Sequence, residues 1–172
     1  MKKIVLILLA MLLTTSLVFA QWQIDEGFEG GAIPAGWTNP TPAWGVYAVL
    51  GYPHTGDWLA ASAAFEDENS WLITPQVYIQ SGDSFTFWAR AWNGTESFNV
   101  KLSTTGNATG NFTTTLGTYS DVGETWVEYS FPLSAYTGSA YLAIEVITGG
   151  GYVLGLDDVL VGQTPVSCPA PS

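Results

Sequence analysis

The clearest hydrophobic pattern in this chain is a strict alternation over residues 84–92. The two alternating sets are Phe85, Phe87, Ala89 and Ala91 on one side, and Trp88, Arg90 and Trp92 on the other. Successive side chains of a β-strand point to opposite faces, so this stretch is predicted to be a strand with one buried face. Asn93-Gly94 is a tight-turn signal, and residues 98–102 alternate again. This combination predicts an antiparallel hairpin.

Short apolar runs separated by turn signals recur along the rest of the chain. Residues 126–131 and 140–147 alternate, and residues 152–161 form the last run. Residues 58–65 are ambiguous because their alanines favour helix by propensity, whereas the turns around them favour the strand that we assign. Pro75 interrupts another run, which suggests an edge or a kink. Nine or ten short strands at regular spacing predict an all-β fold, an antiparallel sandwich or barrel.

The two ends of the chain differ from this β-rich middle. Residues 1–20 begin with two lysines, continue with an apolar run and end in small residues before Gln21, which is the pattern of a secretory signal peptide. Residues 21–162 form the predicted domain, and residues 163–172 form a Pro-rich tail or linker. We therefore expect an exported protein whose mature chain does not insert into a membrane.

Composition supports the β-rich prediction and restricts the partners. The chain has 19 Gly, eight each of Trp, Tyr and Phe, and only 11% charged residues. The formal net charge is −11, and it becomes −13 when Lys2 and Lys3 leave with the leader, so that Arg90 and Lys101 are the remaining basic residues. Nucleic-acid binding requires a basic surface, so no nucleic-acid partner is expected. Cys168 is the only cysteine, which excludes an internal disulfide.

Two adjacent carboxylates, Asp157 and Asp158, interrupt the apolar run of residues 155–162. In a regular strand they point to opposite faces unless a bulge redirects one of them. One carboxylate is therefore placed among apolar neighbours, which is costly unless a cation or hydrogen-bond donors compensate it. A hard cation such as calcium, held by oxygen ligands, is the interpretation that we favour. The alternative is an aspartate that faces water at the end of a strand.

Several short segments occur together in a familiar order. They are Phe28-Glu29, Ile33–Trp37, Ser70–Val77, Phe85–Trp88, Val100–Gly106, Trp126, Pro132–Gly138 and Leu156–Val159. This ordered set resembles the cleaved-adhesin family, also called choice-of-anchor J domains, over roughly residues 22–162. The resemblance implies a jelly-roll β-sandwich, similar to MAM domains and carbohydrate-binding modules, and it implies structural calcium. It also implies a module for adhesion or substrate binding in exported proteins.

The expected calcium ligands come from the two ends of the domain. The first and last strands of a jelly roll can lie close together, which would bring Glu29 to Asp157 or Asp158, with Asp57 as a third source of oxygen ligands. The alternative for Glu29 is a solvated residue at a strand end. Some members of the family that this chain resembles carry a longer acidic loop after the Gly-Trp segment. Residues 38–42 stand in its place and contain no carboxylate, so a second calcium site of that kind is not expected. The acidic residues 66–68 are interpreted as a solvated charge run.

Aromatic side chains are the candidates for ligand binding. Trp88 and Trp92 lie on the same face of the strongest predicted strand, and Trp44 and Tyr52 lie in or near early loops, as does Tyr47. Flat aromatic faces stack on sugar rings. The alternative is that most of these rings fill the core of the sandwich.

The sequence gives little support for catalysis. His54 is the only histidine and is interpreted as an ordinary loop residue, and no serine lies in a nucleophile-elbow motif. Cys168 lies in the tail without a positioned base. Adjacent aspartates on one strand diverge, whereas glycosidase carboxylates flank a bond. We expect no enzymatic activity.

The expected function is adhesion or ligand binding at or beyond the cell surface, in a calcium-stabilised module. The partner is then an extracellular protein or glycan. One alternative is a carbohydrate-binding module that serves a secreted enzyme, and another is a structural spacer in a multidomain surface protein. The tail, Cys168-Pro169-Ala170-Pro171, resembles the lead-in to a following fibronectin type III-like module.

Overall fold

The computed structural model describes residues 22–41, 43–49, 52–62, 69–147 and 153–163. The predicted signal peptide, most of the predicted tail and the acidic residues 66–68 lie outside these ranges. The described residues form eleven strands and one short 3₁₀ helix. They are β1 (Trp22–Glu26), β2 (Trp44–Tyr47), β3 (Leu59–Ser62), β4 (Ser70–Ile73), β5 (Val77–Ile79), β6 (Ser84–Trp92), β7 (Glu96–Ser103), the 3₁₀ helix (Thr109–Asn111), β8 (Thr114–Val122), β9 (Val127–Pro132), β10 (Gly138–Ile147) and β11 (Val153–Gly162).

The strands form two antiparallel sheets. In the first sheet the order is β2-β3-β11-β6-β9, and β1 also pairs with β11. In the second sheet the order is β4-β10-β7-β8, and β5 also pairs with β10. The prediction of an all-β, antiparallel jelly-roll sandwich is confirmed.

The core lies between the two sheets and is rich in aromatic residues. The predicted alternation of β6 is present along the whole strand: Phe85 and Phe87 are fully buried, whereas Trp88 and Trp92 lie on the opposite face and are partly exposed. Phe87 stacks on Tyr129 of β9 and contacts Phe98 of β7, which joins the two sheets. Hydrophobic periodicity therefore gave the correct orientation of the central strand.

Several strand boundaries differ from the prediction. The ambiguous run at residues 58–65 contains strand β3, but the strand ends at Ser62 and residues 63–65 lie outside the described part of the chain. Pro75 separates two strands, β4 and β5, that both pair with β10. Strand β8, which no alternation in the sequence marked, runs from Thr114 to Val122. β8 is an edge strand in which Val122 alone is buried, so it lacks the hydrophobic alternation that would have marked its length.

Strand β11 positions the predicted acidic residues. Its first half, residues 154–156, pairs with β3, and its second half, residues 159–162, pairs with β1 on the same side. β6 pairs along the other side, with a register shift between Asp157 and Leu160. Asp157 and Asp158 therefore lie where β11 changes partners.

Among the described residues, no helix is long and apolar enough to cross a membrane.

Candidate functional site

A β-bulge directs both aspartates of β11 toward the same loop. Asp158 has a φ of 48°, a left-handed conformation that aspartate tolerates better than most residues. This conformation breaks the alternation of the strand, so Asp157 and Asp158 both contact residues 54–55. The bulge that the sequence analysis allowed for is present, and it brings the two carboxylates together.

Asp157 is a fully buried carboxylate held by backbone donors. Its Oδ2 accepts hydrogen bonds from the backbone N–H groups of His54 (2.8 Å) and Thr55 (3.1 Å). Its Oδ1 accepts one from the backbone N–H of Asp158 (2.8 Å). Burial raises the pKa of Asp157 to about 6, and these hydrogen bonds only partly offset that effect. A cation next to Asp157 would therefore strongly stabilise its ionised carboxylate.

Asp158 pairs with the only histidine of the chain. The Nδ1 of His54 lies 2.6 Å from Asp158 Oδ2, and the Thr55 hydroxyl donates to Asp158 Oδ1 at 2.5 Å. The His54 ring stacks on Trp88 with a centroid distance of 3.8 Å. His54 is thus not the ordinary loop residue that the sequence analysis expected. Its partner lies 104 positions away in the sequence, and only the fold reveals the pair.

Glu29 fixes the neighbouring turn. Its carboxylate accepts hydrogen bonds from the backbone N–H groups of Asp57 (3.1 and 3.2 Å) and Trp58 (3.3 Å). Gly56 has a φ of 61°, and a Cβ at that position would collide with the Glu29 carboxylate. Asp57 thus contributes its backbone N–H to this contact, and the residue itself is exposed. The described contact of Asp57 thus uses its backbone, and a role for its carboxylate as a calcium ligand stays a prediction.

Three of the four predicted calcium ligands border the same glycine. A Cβ built on Gly27 would lie 3.8 Å from Asp158 Oδ1, 3.9 Å from Asp157 Oδ1 and 3.8 Å from the Cγ of Glu29. Carboxylate oxygens are the donors that calcium prefers. The described residues contain no group of three or more His, Cys, Asp or Glu side chains already arranged around a metal position. The donor chemistry fits calcium, and the calcium site stays a prediction.

An aromatic cleft of about 440 Å³ lies beside this cluster. We call it the aromatic cleft; it is lined by Tyr47, Val49, Tyr52, Leu59, Ala61, Trp92, Asn93 and Val153. Its walls are mostly apolar, and Tyr47, Val49 and Tyr52 are 46%, 41% and 38% exposed. Exposed apolar side chains concentrated in one concavity are typical of a binding site rather than of ordinary surface.

The aromatic cleft includes two of the four predicted ligand-binding residues. Tyr52 and Trp92 line it, with ring centroids 5.3 Å apart, whereas Trp88 lies under His54. Trp44 is 5% exposed and belongs to the core, so it offers no face to a ligand. Tyr47, which the sequence analysis considered beside them, does line the cleft.

The floor of the cleft depends on a glycine. A Cβ at Gly155 would lie 2.5 Å from Cζ3 of Trp92, so the indole lies directly against the backbone of β11. We expect Gly155→Ala to displace the ring and to destabilise the domain by about 1–3 kcal/mol, as overpacking does. Urea unfolding followed by tryptophan fluorescence measures both effects. Gly30→Ala is the matched control, because a Cβ there meets nothing within 4 Å. Equal stabilities of the two variants would contradict this account.

The loop of residues 52–58 joins the cleft to the acidic cluster. Tyr52, at one end, lines the cleft, and its carbonyl accepts a hydrogen bond from Trp126 Nε1 at 3.0 Å. The other end, residues 54–58, is held by Asp157, Asp158 and Glu29. The acidic cluster therefore supports one wall of the cleft.

Comparison with known proteins gives matches of three kinds. The family model of the Cleaved Adhesin Domain matches residues 21–161. Hemagglutinin A of Porphyromonas gingivalis is 30% identical over an alignment of 178 positions, which covers 80% of this chain and 7% of that protein. The chain thus spans less than a tenth of the length of the curated relatives that it matches.

Two solved structures illustrate the structural similarity. The K3 cleaved adhesin domain of Lys-gingipain from P. gingivalis W83 superposes with a TM-score of 0.68 at 22% identity, covering 84% of this chain and 99% of that domain. TmCBM61, solved in complex with β-1,4-galactotriose, superposes with a TM-score of 0.59 at 17% identity, covering 80% of this chain and 94% of that chain. At these identities the two similarities show a shared fold.

Proposed function

This chain belongs to the cleaved adhesin family, and from that premise we propose that it is a non-catalytic binding module that holds an extracellular glycan in the aromatic cleft. Family and fold together support a β-sandwich adhesion or binding module. The observation that carries the choice of the cleft is the concentration of exposed rings in one concavity beside β11. We further propose that the module acts in a secreted or surface-exposed protein.

The side chains that line the cleft are of the kinds that bind glycans. Tyr47, Tyr52 and Trp92 offer aromatic faces for sugar rings, and Asn93 offers both a donor and an acceptor for hydroxyl groups. Sites that combine apolar walls with a few polar groups are typical of small-ligand recognition. TmCBM61, a structural neighbour, was solved with a galactose oligosaccharide, which supports the proposal by analogy of fold. A pure spacer would have no use for an exposed apolar cleft.

Alanine variants of the cleft test this proposal. We expect Trp92→Ala and Tyr47→Ala to lower the affinity for a glycan identified on an array by about tenfold or more, since aromatic anchors dominate binding energy. Calorimetric titration with that glycan measures the loss. Tyr78→Ala is the matched control, because this tyrosine is 62% exposed on β5 of the other sheet.

The outcomes of this test are distinct. Unchanged affinity in both cleft variants would show that the ligand binds elsewhere. If no glycan binds but a purified protein ligand does, the domain is a protein adhesin and the glycan assignment is wrong.

We also propose that calcium stabilises the acidic cluster. Asp157, Asp158 and Glu29 would supply the carboxylate oxygens, and the ion would supply the positive charge that the buried Asp157 lacks. Bound there, Ca²⁺ would help to hold the loop of residues 52–58 against β11. The role is structural, and no reaction step is assigned to the ion.

A further inference from the structure

We propose that Arg90 makes the aromatic cleft selective for glycans that carry a carboxylate, such as uronic acids. This inference rests on the glycan-binding function proposed above and names the chemical class of the ligand. It is carried by the position of one guanidinium group, by its hydrogen bonds and by the distribution of charge in the chain.

The guanidinium of Arg90 lies against two of the aromatic rings that line the cleft and near a third ring outside it. Its Cζ is 4.9 Å from the ring centroid of Trp92, 5.6 Å from that of Tyr52 and 5.9 Å from that of Trp126. Trp92 and Tyr52 line the cleft. Contacts between a guanidinium and aromatic faces are favourable, and they restrict the group to one orientation. Arg90 is not itself one of the residues that line the cleft, but it is held against these two lining rings before any ligand arrives.

The donors of Arg90 are largely unused within the described residues. Its Nε donates to the carbonyl of Ala91 at 3.5 Å, which is long for such a bond. The ion pairs described are His54 with Asp158 and Lys101 with Glu145, and neither includes Arg90. In the part of the chain that the structure describes, the terminal nitrogens of Arg90 have no hydrogen-bonded acceptor. A guanidinium edge of this kind matches the two oxygens of a carboxylate.

The negative charge of the chain limits which anionic ligands can approach the cleft. The chain carries 15 Asp and Glu against four Lys and Arg, two of which, Lys2 and Lys3, lie in the predicted leader. Lys101 lies 3.5 Å from Glu145 on the second sheet, whereas Arg90 contacts two of the rings that line the cleft. A densely charged polymer would be repelled by the acidic surface. A sugar that carries a single carboxylate is repelled much less, and its carboxylate can form an ion pair with Arg90.

The experiment compares matched ligands that differ in charge alone. A glycan array carries uronic-acid oligosaccharides, the same oligosaccharides as methyl esters, neutral oligosaccharides, a sulfated polysaccharide and acidic peptides. We expect the wild-type domain to bind a free acid about tenfold or more tightly than its methyl ester, because a charge-assisted hydrogen bond is lost on esterification. The sulfated polysaccharide is expected to bind weakly.

Variants of Arg90 and Lys101 test which of the two residues causes the preference for the free acid over the ester. Arg90→Gln is expected to bind the acid and its ester equally, and Arg90→Lys to retain part of the preference as a point charge without the planar fork. Lys101→Gln is the matched control: it removes the same charge from the other sheet and leaves the preference intact. Thermal unfolding of each variant verifies folding. If Arg90→Gln does not fold, the comparison of acid and ester on the wild-type domain still decides the question.

The possible failures are distinguishable. Equal wild-type binding of acid and ester, or a preference that persists in Arg90→Gln, overturns the role of Arg90 and leaves the glycan proposal standing. Binding of acidic peptides without any sugar overturns the glycan assignment itself. Binding of nothing on the array overturns both proposals.

Discussion

Replacing Asp157 by alanine is expected to destabilise the domain by about 3 kcal/mol or more, because the backbone donors of His54, Thr55 and Asp158 would lose their acceptors inside the fold. Removing a desolvated carboxylate relieves part of its own burial cost. That relief is smaller than the loss, since three backbone N–H groups depend on this one carboxylate. Chemical denaturation at pH 5 and pH 7.5 measures the change in the free energy of unfolding.

The matched control is Asp57→Ala. Asp57 is exposed, and its described contact with Glu29 uses the backbone N–H, which alanine retains. We expect a change within about 0.5 kcal/mol. Asp157→Asn should lie between the two, because an amide keeps one acceptor oxygen and places an NH₂ group against a donor. A loss as large in Asp57→Ala as in Asp157→Ala would contradict the geometry described for this cluster.

Loss of Asp157 is also expected to weaken the cleft. The loop of residues 52–58 is attached at one end by the acidic cluster and at the other by the bond from Trp126 to the Tyr52 carbonyl. Releasing the first attachment leaves Tyr52 less well positioned, and a less organised site binds more weakly. The acidic cluster and the aromatic cleft are thus connected structurally through one loop.

The sequence predicted the fold well where one strand face is buried. The alternation of β6 was read correctly because burial of Phe85 and Phe87 imposes a period of two on the sequence. The extent of β8 was not predicted, because an edge strand with polar and exposed side chains needs no such period. Strand β1 ends at Glu26, and Phe28 beyond it has a φ of 61°, which its aromatic character does not suggest.

Prediction of the site failed where partners are distant in sequence. Asp157 and Asp158 stand out because carboxylates in an apolar run need compensation. His54 gave no such signal, since its acidic partner is more than a hundred residues away. Trp44 was assigned to the ligand surface and lies in the core, because an isolated aromatic residue does not indicate which face of its short strand is buried.

Calcium at 100 times its dissociation constant is expected to raise the free energy of unfolding at pH 7.5 by about 2.7 kcal/mol, if it binds the folded domain alone. The physical reason is the buried carboxylate of Asp157, which lies among neutral donors and next to the acidic Asp158. The measurement is thermal unfolding in chelator and in calcium chloride. Magnesium chloride at the same concentration is the control for ionic strength, because magnesium sheds its water reluctantly.

The pH dependence in chelator gives the companion result. The pKa of Asp157 rises from 3.8 to about 6 on folding, so the folded domain holds this proton more tightly than the unfolded chain. The stabilisation that this proton gives the folded domain is therefore fully present below about pH 4 and is lost as the pH rises through 6. The free energy of unfolding falls by roughly 3 kcal/mol over this range. Calcium favours the ionised carboxylate, so its stabilising effect should be larger at pH 7.5 than at pH 5. Unfolding temperatures at pH 7.5 that are identical in chelator and in calcium would exclude the calcium site. A chelator profile without this loss would instead show that the backbone donors of His54, Thr55 and Asp158 compensate the Asp157 carboxylate.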